Sequence, residues 1–289
     1  MKQPVTIPIV PFGPGSHPPE DAELDYMPMP RGMSTFEMPQ VPEDADAANM
    51  ALACEIVEAF VAAMKAARER GAPVPHVDLG GVPAGALEVL NQSLGEGEVA
   101  IRLQGGRDVR IQETVFAGVW RERHLDADGT LLRDMLQAAP IPAIAVEAAR
   151  AAGGPAPGFT PFPPGAMNAP ALLHEIRAQV RDRRPQGPPH VLNLTLLPLT
   201  PDDHACLEQA IPVGPVAIMS RGFGNCRITS TGVRDVWRVQ YFNNMQTLIL
   251  NTLEVVDVPE VALAADEDLA DSEERLVELL GWMRESAAA

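Results

Sequence analysis

The sequence predicts an α+β protein made of two tandem pseudo-repeat units. Each unit is a mainly antiparallel sheet with flanking helices, and an extended N-terminal arm precedes them. Three observations predict this. First, the chain matches itself at an offset of 117 residues, which carries Trp120 onto Trp237. Laying 94–149 on 211–266 without a gap gives 17 identities in 56 positions, where average composition would give about three or four by chance. Second, each copy holds consecutive strand-like runs joined by short turns, the pattern of antiparallel pairing. Third, a Pro/Gly-rich stretch, GGPAPGFTPFPPGAMNAP, separates the copies and has no helical period. The expected boundaries are an arm over 1–43, a first repeat over 44–152, a linker over 153–169 and a second repeat over 170–289.

Residues 1–43 are rich in proline, methionine and acid and lack periodicity, so they are expected to be extended or disordered unless docked. Met27, Met29, Met33 and Met38 give that segment flexible apolar handles. A helix over about 44–70 follows, with Ala53, Ile56, Val57, Phe60, Val61 and Met64 on one stripe and Gly71 ending it. A short strand at Pro75-His76-Val77 and a helix near 83–93 come next. Four strands are expected at 98–103, 108–114, 117–124 and 130–137, and Pro142 opens a closing helix.

The second copy repeats this order. A helix over about 170–184 buries Leu172, Leu173, Ile176 and Val180. Pro189-His190-Val191 marks the short strand, and a helix over 201–210 follows it. Strands are expected at 215–220, 225–231, 234–242 and 246–255, then a closing helix after Pro259. Asp126-Ala127-Asp128-Gly129 and Asn243-Asn244 supply equivalent hairpin turns. A last helix is expected from about Asp271, with Glu274 as a capping-box partner, and its end over 287–289 should fray.

The net charge is −17, which excludes a nucleic-acid footprint and permits a basic partner such as an arginine-rich peptide. The three cysteines, Cys54, Cys206 and Cys226, have no disulfide or metal-knuckle spacing. His76 and His190 occupy equivalent strand starts but lack further ligands at metal spacing, so both read as structural. No apolar run approaches the ~20 residues of a bilayer span. The expectation is a soluble, cytoplasmic protein without a cofactor or metal. Trp120 and Trp237 read as equivalent core anchors, with Arg121 and Arg238 on the opposite strand face. Gly105, Pro142 and Pro259 are the other expected anchors of the repeat.

Ser220-Arg221-Gly222-Phe223-Gly224-Asn225-Cys226-Arg227 is where the second copy departs most from the first. Gly222 matches Gly105 and belongs to the shared hairpin turn. Gly224, Asn225 and Cys226 are particular to the second copy, so Arg221–Arg227 is the candidate partner-binding patch. A phosphate-loop reading fails, since no Gly-Lys-Ser/Thr follows. A nucleophile reading would need a base beside Cys226.

With those residues in view, the sequence resembles the HupH/HyaF family of hydrogenase expression/formation proteins. The resemblance rests on NQSLGEGEVAI (91–101), ETVFAGVWR (113–121), SRGFGNCRITSTGVRDVWRVQYFN (220–243) and LILNTLEVVDVPEVALAADEDLADS (248–272). FGPGSHPPED (12–21) and MPQVPED (38–44) also fit. It implies an accessory, chaperone-like role in maturing an uptake nickel–iron hydrogenase. The implied partner is the iron–sulfur small-subunit precursor before twin-arginine export, with other hydrogenase accessory proteins beside it. It transfers no catalytic residues. The alternative is a thiol-dependent factor in iron–sulfur cluster assembly or protection that uses Cys226.

Overall fold

The computed structural model describes residues 41–42, 45–71, 74–105, 108–156, 162–221, 225–243 and 245–288. The arm expected over 1–43 therefore lies outside the described residues, apart from Val41 and Pro42.

Both sheets merge into one. Ten strands run in the order β1-β5-β4-β3-β2-β7-β8-β9-β10-β6. The first repeat gives β1 (His76–Asp78), β2 (Val99–Leu103), β3 (Asp108–Glu113), β4 (Val119–Leu125) and β5 (Leu131–Ala138). The second gives β6 (His190–Asn193), β7 (Val213–Ser220), β8 (Asn225–Thr231), β9 (Val236–Phe242) and β10 (Leu248–Val255). Every ladder between these strands is antiparallel. The order is a palindrome about the β2–β7 ladder. There Ile101 lies opposite Ile218, its own repeat equivalent, so a local two-fold axis passes through that pair. Both side chains are buried, which fixes the register, since a one-residue slip would turn each strand's apolar set outward.

The turns repeat as closely as the strands. Thr114 Oγ1 accepts from Phe116 N–H at 3.2 Å, and Thr231 Oγ1 accepts from Val233 N–H at 3.2 Å. Asp126 Oδ1 accepts from the Asp128 and Thr130 N–H groups, and Asn243 Oδ1 from those of Met245 and Thr247. Backbone conformation persists where residue type does not. Gly118 has φ 73° and its counterpart Asp235 has φ 58°; Gly129 has φ 84° and its counterpart Gln246 has φ 61°. The left-handed region favours glycine, yet each turn keeps that geometry in both copies.

Helices cover the sheet unequally. On one face, α1 (Ala47–Arg70), α2 (Ala84–Leu94) and α6 (Asp266–Ala288) pack over β1, β4 and β5 through Phe60, Leu90, Leu136, Leu276 and Met283. On that same face, α4 (Ala169–Asp182) and α5 (Pro201–Ala210) pack over β6, β9 and β10 through Ile176, Leu192, Leu207 and Leu253. This is the helical face. On the other face, α3 (Ala143–Ala152) lies over the centre of the sheet, where Trp120, Trp237, Ile101 and Ile218 share one core. This is the tryptophan face.

Local chemistry sets the helix ends. Asp46 caps α1 by accepting from Ala48 and Asn49 N–H, and Gly71 closes it at φ 62°. α1 carries a window of mean hydropathy 1.5, enough by length and composition to cross a bilayer, but its apolar stripe packs against α2 and α6. Asp203 serves two helices. It completes the Thr200 capping box of α5 and accepts from the Asn168 and Ala169 N–H groups at the start of α4. Although burial opposes it, those backbone bonds hold the carboxyl below its usual range.

Two expectations about the C-terminal part change. The closing helix after Pro259 shrinks to one 3-10 turn, Glu260–Ala262. The chain must leave the tryptophan face here: Leu263 is extended and Ala264 N–H donates to Pro140 O at 2.9 Å. The last helix begins at Asp266, not Asp271, and stays helical through Ala288. Its first turn carries Asp266, Glu267 and Asp268, which suits the positive end of the helix dipole. α6 then packs on the first repeat, with Arg68 forked onto Glu273 at 2.8 and 3.1 Å.

Candidate binding face

Strand alternation divides the patch expected at Arg221–Arg227. Arg221 follows β7, and its N–H donates to Glu98 O at 3.2 Å. Gly222, Phe223 and Gly224 lie outside the described residues. Asn225, Cys226 and Arg227 are β8 residues aligned with Asp108, Val109 and Arg110 of β3, so they are exchanged residues within one shared strand. Asn225 and Arg227 turn to the helical face, while Cys226 turns to the tryptophan face.

Cys226 is 2% exposed and packed in the central core. Burial pushes its thiol up to about 11, against a hydrogen bond with Tyr241 that lowers it. Tyr241 is itself pushed up to about 12, again chiefly by burial. A thiol held neutral is a poor nucleophile and a poor metal ligand. Among the described residues, no group of three His, Cys, Asp or Glu side chains could hold a metal ion. His76 and His190 sit on the two outermost strands, at opposite edges of the sheet.

The repeat anchors hold the scaffold. Trp120 and Trp237 are 1% and 2% exposed. Their Nε1–H groups donate to Ala139 O at 2.8 Å and Asp257 O at 3.1 Å. Gly105 has φ 108° in the β2–β3 turn. Pro142 precedes α3, and Pro259 precedes the 3-10 turn.

On the helical face the repeats diverge in charge. In the first, Arg121 forks onto Asp134 through two bonds of 2.6 Å and donates to Asn91 Oδ1. Asp108 holds Arg110 at 2.8 Å and Arg102 at 3.3 Å. Arg102, Arg110 and Arg123 stand directly opposite one another across β2, β3 and β4. Like charges in that register destabilise a sheet, and Asp108 and Asp134 offset them.

In the second repeat both arginines remain and both carboxylates are gone. Arg227 replaces Arg110 and Arg238 replaces Arg121, but Asn225 stands for Asp108 and Asn251 for Asp134. Arg227 lies over the Phe242 ring at 5.4 Å. Arg238 is 7% exposed and forms no ion pair within 4.0 Å among the described residues. Beside it, Gln240 and Asn251 lie opposite each other in the β9–β10 ladder. Gln240 Nε2 and Asn251 Oδ1 are buried without hydrogen-bond partners. Sequence reading placed Arg238 correctly on the face away from Trp237 but missed Gln240 and Asn251. The signal was available: two aligned Asp-to-Asn exchanges beside two retained arginines.

The architecture and this face define a duplicated-sheet protein whose two halves keep one scaffold and differ in the charge they present between their helices. The HupH hydrogenase expression protein family, through its C-terminal conserved region, matches the chain twice, over 36–152 and 166–283. The chain belongs to that family, and the two matches coincide with the two repeats. It is 44% identical over 278 residues to the hydrogenase expression/formation protein HoxQ of Cupriavidus necator, covering 96% of this chain and 97% of the relative. It is 40% identical over 285 residues to HupH of Rhodobacter capsulatus, covering 96% and 98%. It is 34% identical over 282 residues to the hydrogenase-1 operon protein HyaF of Escherichia coli K12, covering 96% of each.

Proposed function

We propose that the protein is an accessory, chaperone-like factor in hydrogenase maturation that holds the iron–sulfur small-subunit precursor before twin-arginine export. The observation that carries this reading is relatedness to hydrogenase expression/formation proteins over nearly the whole of both chains. Charge supports the leader as the contact. A chain of net charge −17 attracts a basic segment from a distance, and the attraction fades with salt. The thiol-dependent alternative is the weaker reading, because Cys226 is core-packed with its thiol raised to about 11.

Co-purification tests this. The tagged protein, recovered from cells making the hydrogenase, should bring down the small-subunit precursor, and deleting the leader should reduce recovery several-fold. Equal recovery with and without the leader would remove the leader from the proposal. No recovery of either form would remove the small subunit. Cys226→Ala should leave hydrogenase activity within about twofold of normal; loss of activity with the fold intact would revive the thiol reading.

A further inference from the structure

The internal duplication supplies its own control for the second repeat's helical face. Where Arg121 has the Asp134 carboxylate, Arg238 has Asn251. Arg238 is 7% exposed as a residue and forms no ion pair among the described residues, so its charge is met by no carboxylate of the second repeat. Here it neighbours Gln240, which is 1% exposed, and Asn251, which is 9% exposed, each with an unpaired polar atom. The three side chains share one face of β9 and β10, because 238 and 240 alternate with 239 and Gln240 faces Asn251. Arg238 and Gln240 Nε2 are donors, and together they suit an acceptor. A carboxylate accepts from Arg238 and from Gln240 Nε2, and Asn251 can turn its amide to donate through Nδ2.

We propose that this site binds a side-chain carboxylate of an acidic, extended polypeptide segment, and that the chain's own residues 20–25 supply it. Glu20, Asp21, Glu23 and Asp25 place four carboxylates within six residues. Val41, which packs with the α1 core on the helical face, lies sixteen residue steps beyond Asp25. At ~3.4 Å per residue that stretch spans up to about 55 Å. Ten strands about 4.8 Å apart make a sheet roughly 45 Å across, so the segment can reach any strand. Tethering gives it an effective concentration in the millimolar range, so a weak contact suffices for occupancy. The site does not depend on the hydrogenase reading above and can fail or stand without it.

The test uses the full chain with its own segment neutralised, Glu20→Gln, Asp21→Asn, Glu23→Gln and Asp25→Asn together. A fluorescent peptide of residues 16–30 is titrated onto it in low salt. Saturable binding is expected, weakened at least about tenfold when Arg238→Gln is added. Asn251→Asp recreates the first repeat's pair; it should weaken the peptide as much while raising the thermal midpoint, so the loss is not misfolding. No saturable binding, or binding unchanged by both substitutions, overturns the site. In the otherwise unaltered chain, hydrogen exchange at 18–30 should accelerate several-fold on Asn251→Asp; equal exchange overturns the intramolecular source.

Discussion

Glu113 stands at the inner end of β3 and accepts from Gly118 N–H at 2.9 Å. Burial is the largest influence on its carboxyl, which is raised from 4.5 to about 7 despite that bond, with Glu98 and Asp268 adding like-charge repulsion. The folded state holds this proton more tightly than the unfolded chain, so the stabilisation is complete below about 4.5 and is lost as pH rises through about 7. Glu113→Gln keeps an acceptor for Gly118 and removes the ionisation. At pH 8 the variant should gain roughly 2 kcal/mol in urea unfolding, and at pH 4.5 the difference should largely vanish. Equal stability differences at both values would assign the effect to packing. Cys226 carries a related lesson. Read in isolation, a cysteine after two glycines resembles a reactive group, yet strand alternation turns it into the core. The period of two was legible in the sequence; which face would be buried required knowing that α3 covers that side.

At the scale of elements, the duplication is what made the fold legible. Each strand assignment could be checked against its counterpart, and all eight long strands fall within two residues of expectation at either end. Expectation failed where the copies diverge. The segment after Pro259 is the counterpart of α3 but keeps only one helical turn, and both it and the start of α6 depend on a crossover to the opposite face. The β3–β4 turn gives a direct test. Gly118 sits at φ 73°, and a Cβ there would lie 2.4 Å from Leu269 Cδ2 and 3.2 Å from Ala139 O. Asp235 bears a side chain in the equivalent turn because it faces Arg183, at 3.0 Å, instead of a helix. Gly118→Ala should therefore cost about 2–4 kcal/mol, combining backbone strain with displacement of α6. Chemical denaturation measures it; a cost below about 0.5 kcal/mol would mean that α6 yields without resistance.

Across the whole molecule, the repeats are bound by more than the β2–β7 ladder. Arg150 of the first repeat, at the end of α3, reaches Asp257 of the second at 2.6 Å. Gly154 exchanges backbone hydrogen bonds of 2.9 Å with Gly232 O and Arg234 N–H, tying the linker to the second repeat. α6 leaves the second repeat to complete the core of the first. The halves share one sheet and one completed core, so urea should unfold the chain in one transition. Ile218→Asp, at the local axis, should lower the midpoint of that single transition; two resolved transitions would overturn the continuity inferred here.

The axis through Ile101 and Ile218 has a further meaning. A chain with only one repeat could pair edge to edge with another copy of itself, but any change to its face would then appear twice, by symmetry. Joining the two copies covalently lifts that obligation. Asp108 and Asp134 can then stand in one half while Asn225 and Asn251 stand in the other, so the two halves of one continuous sheet present different charge.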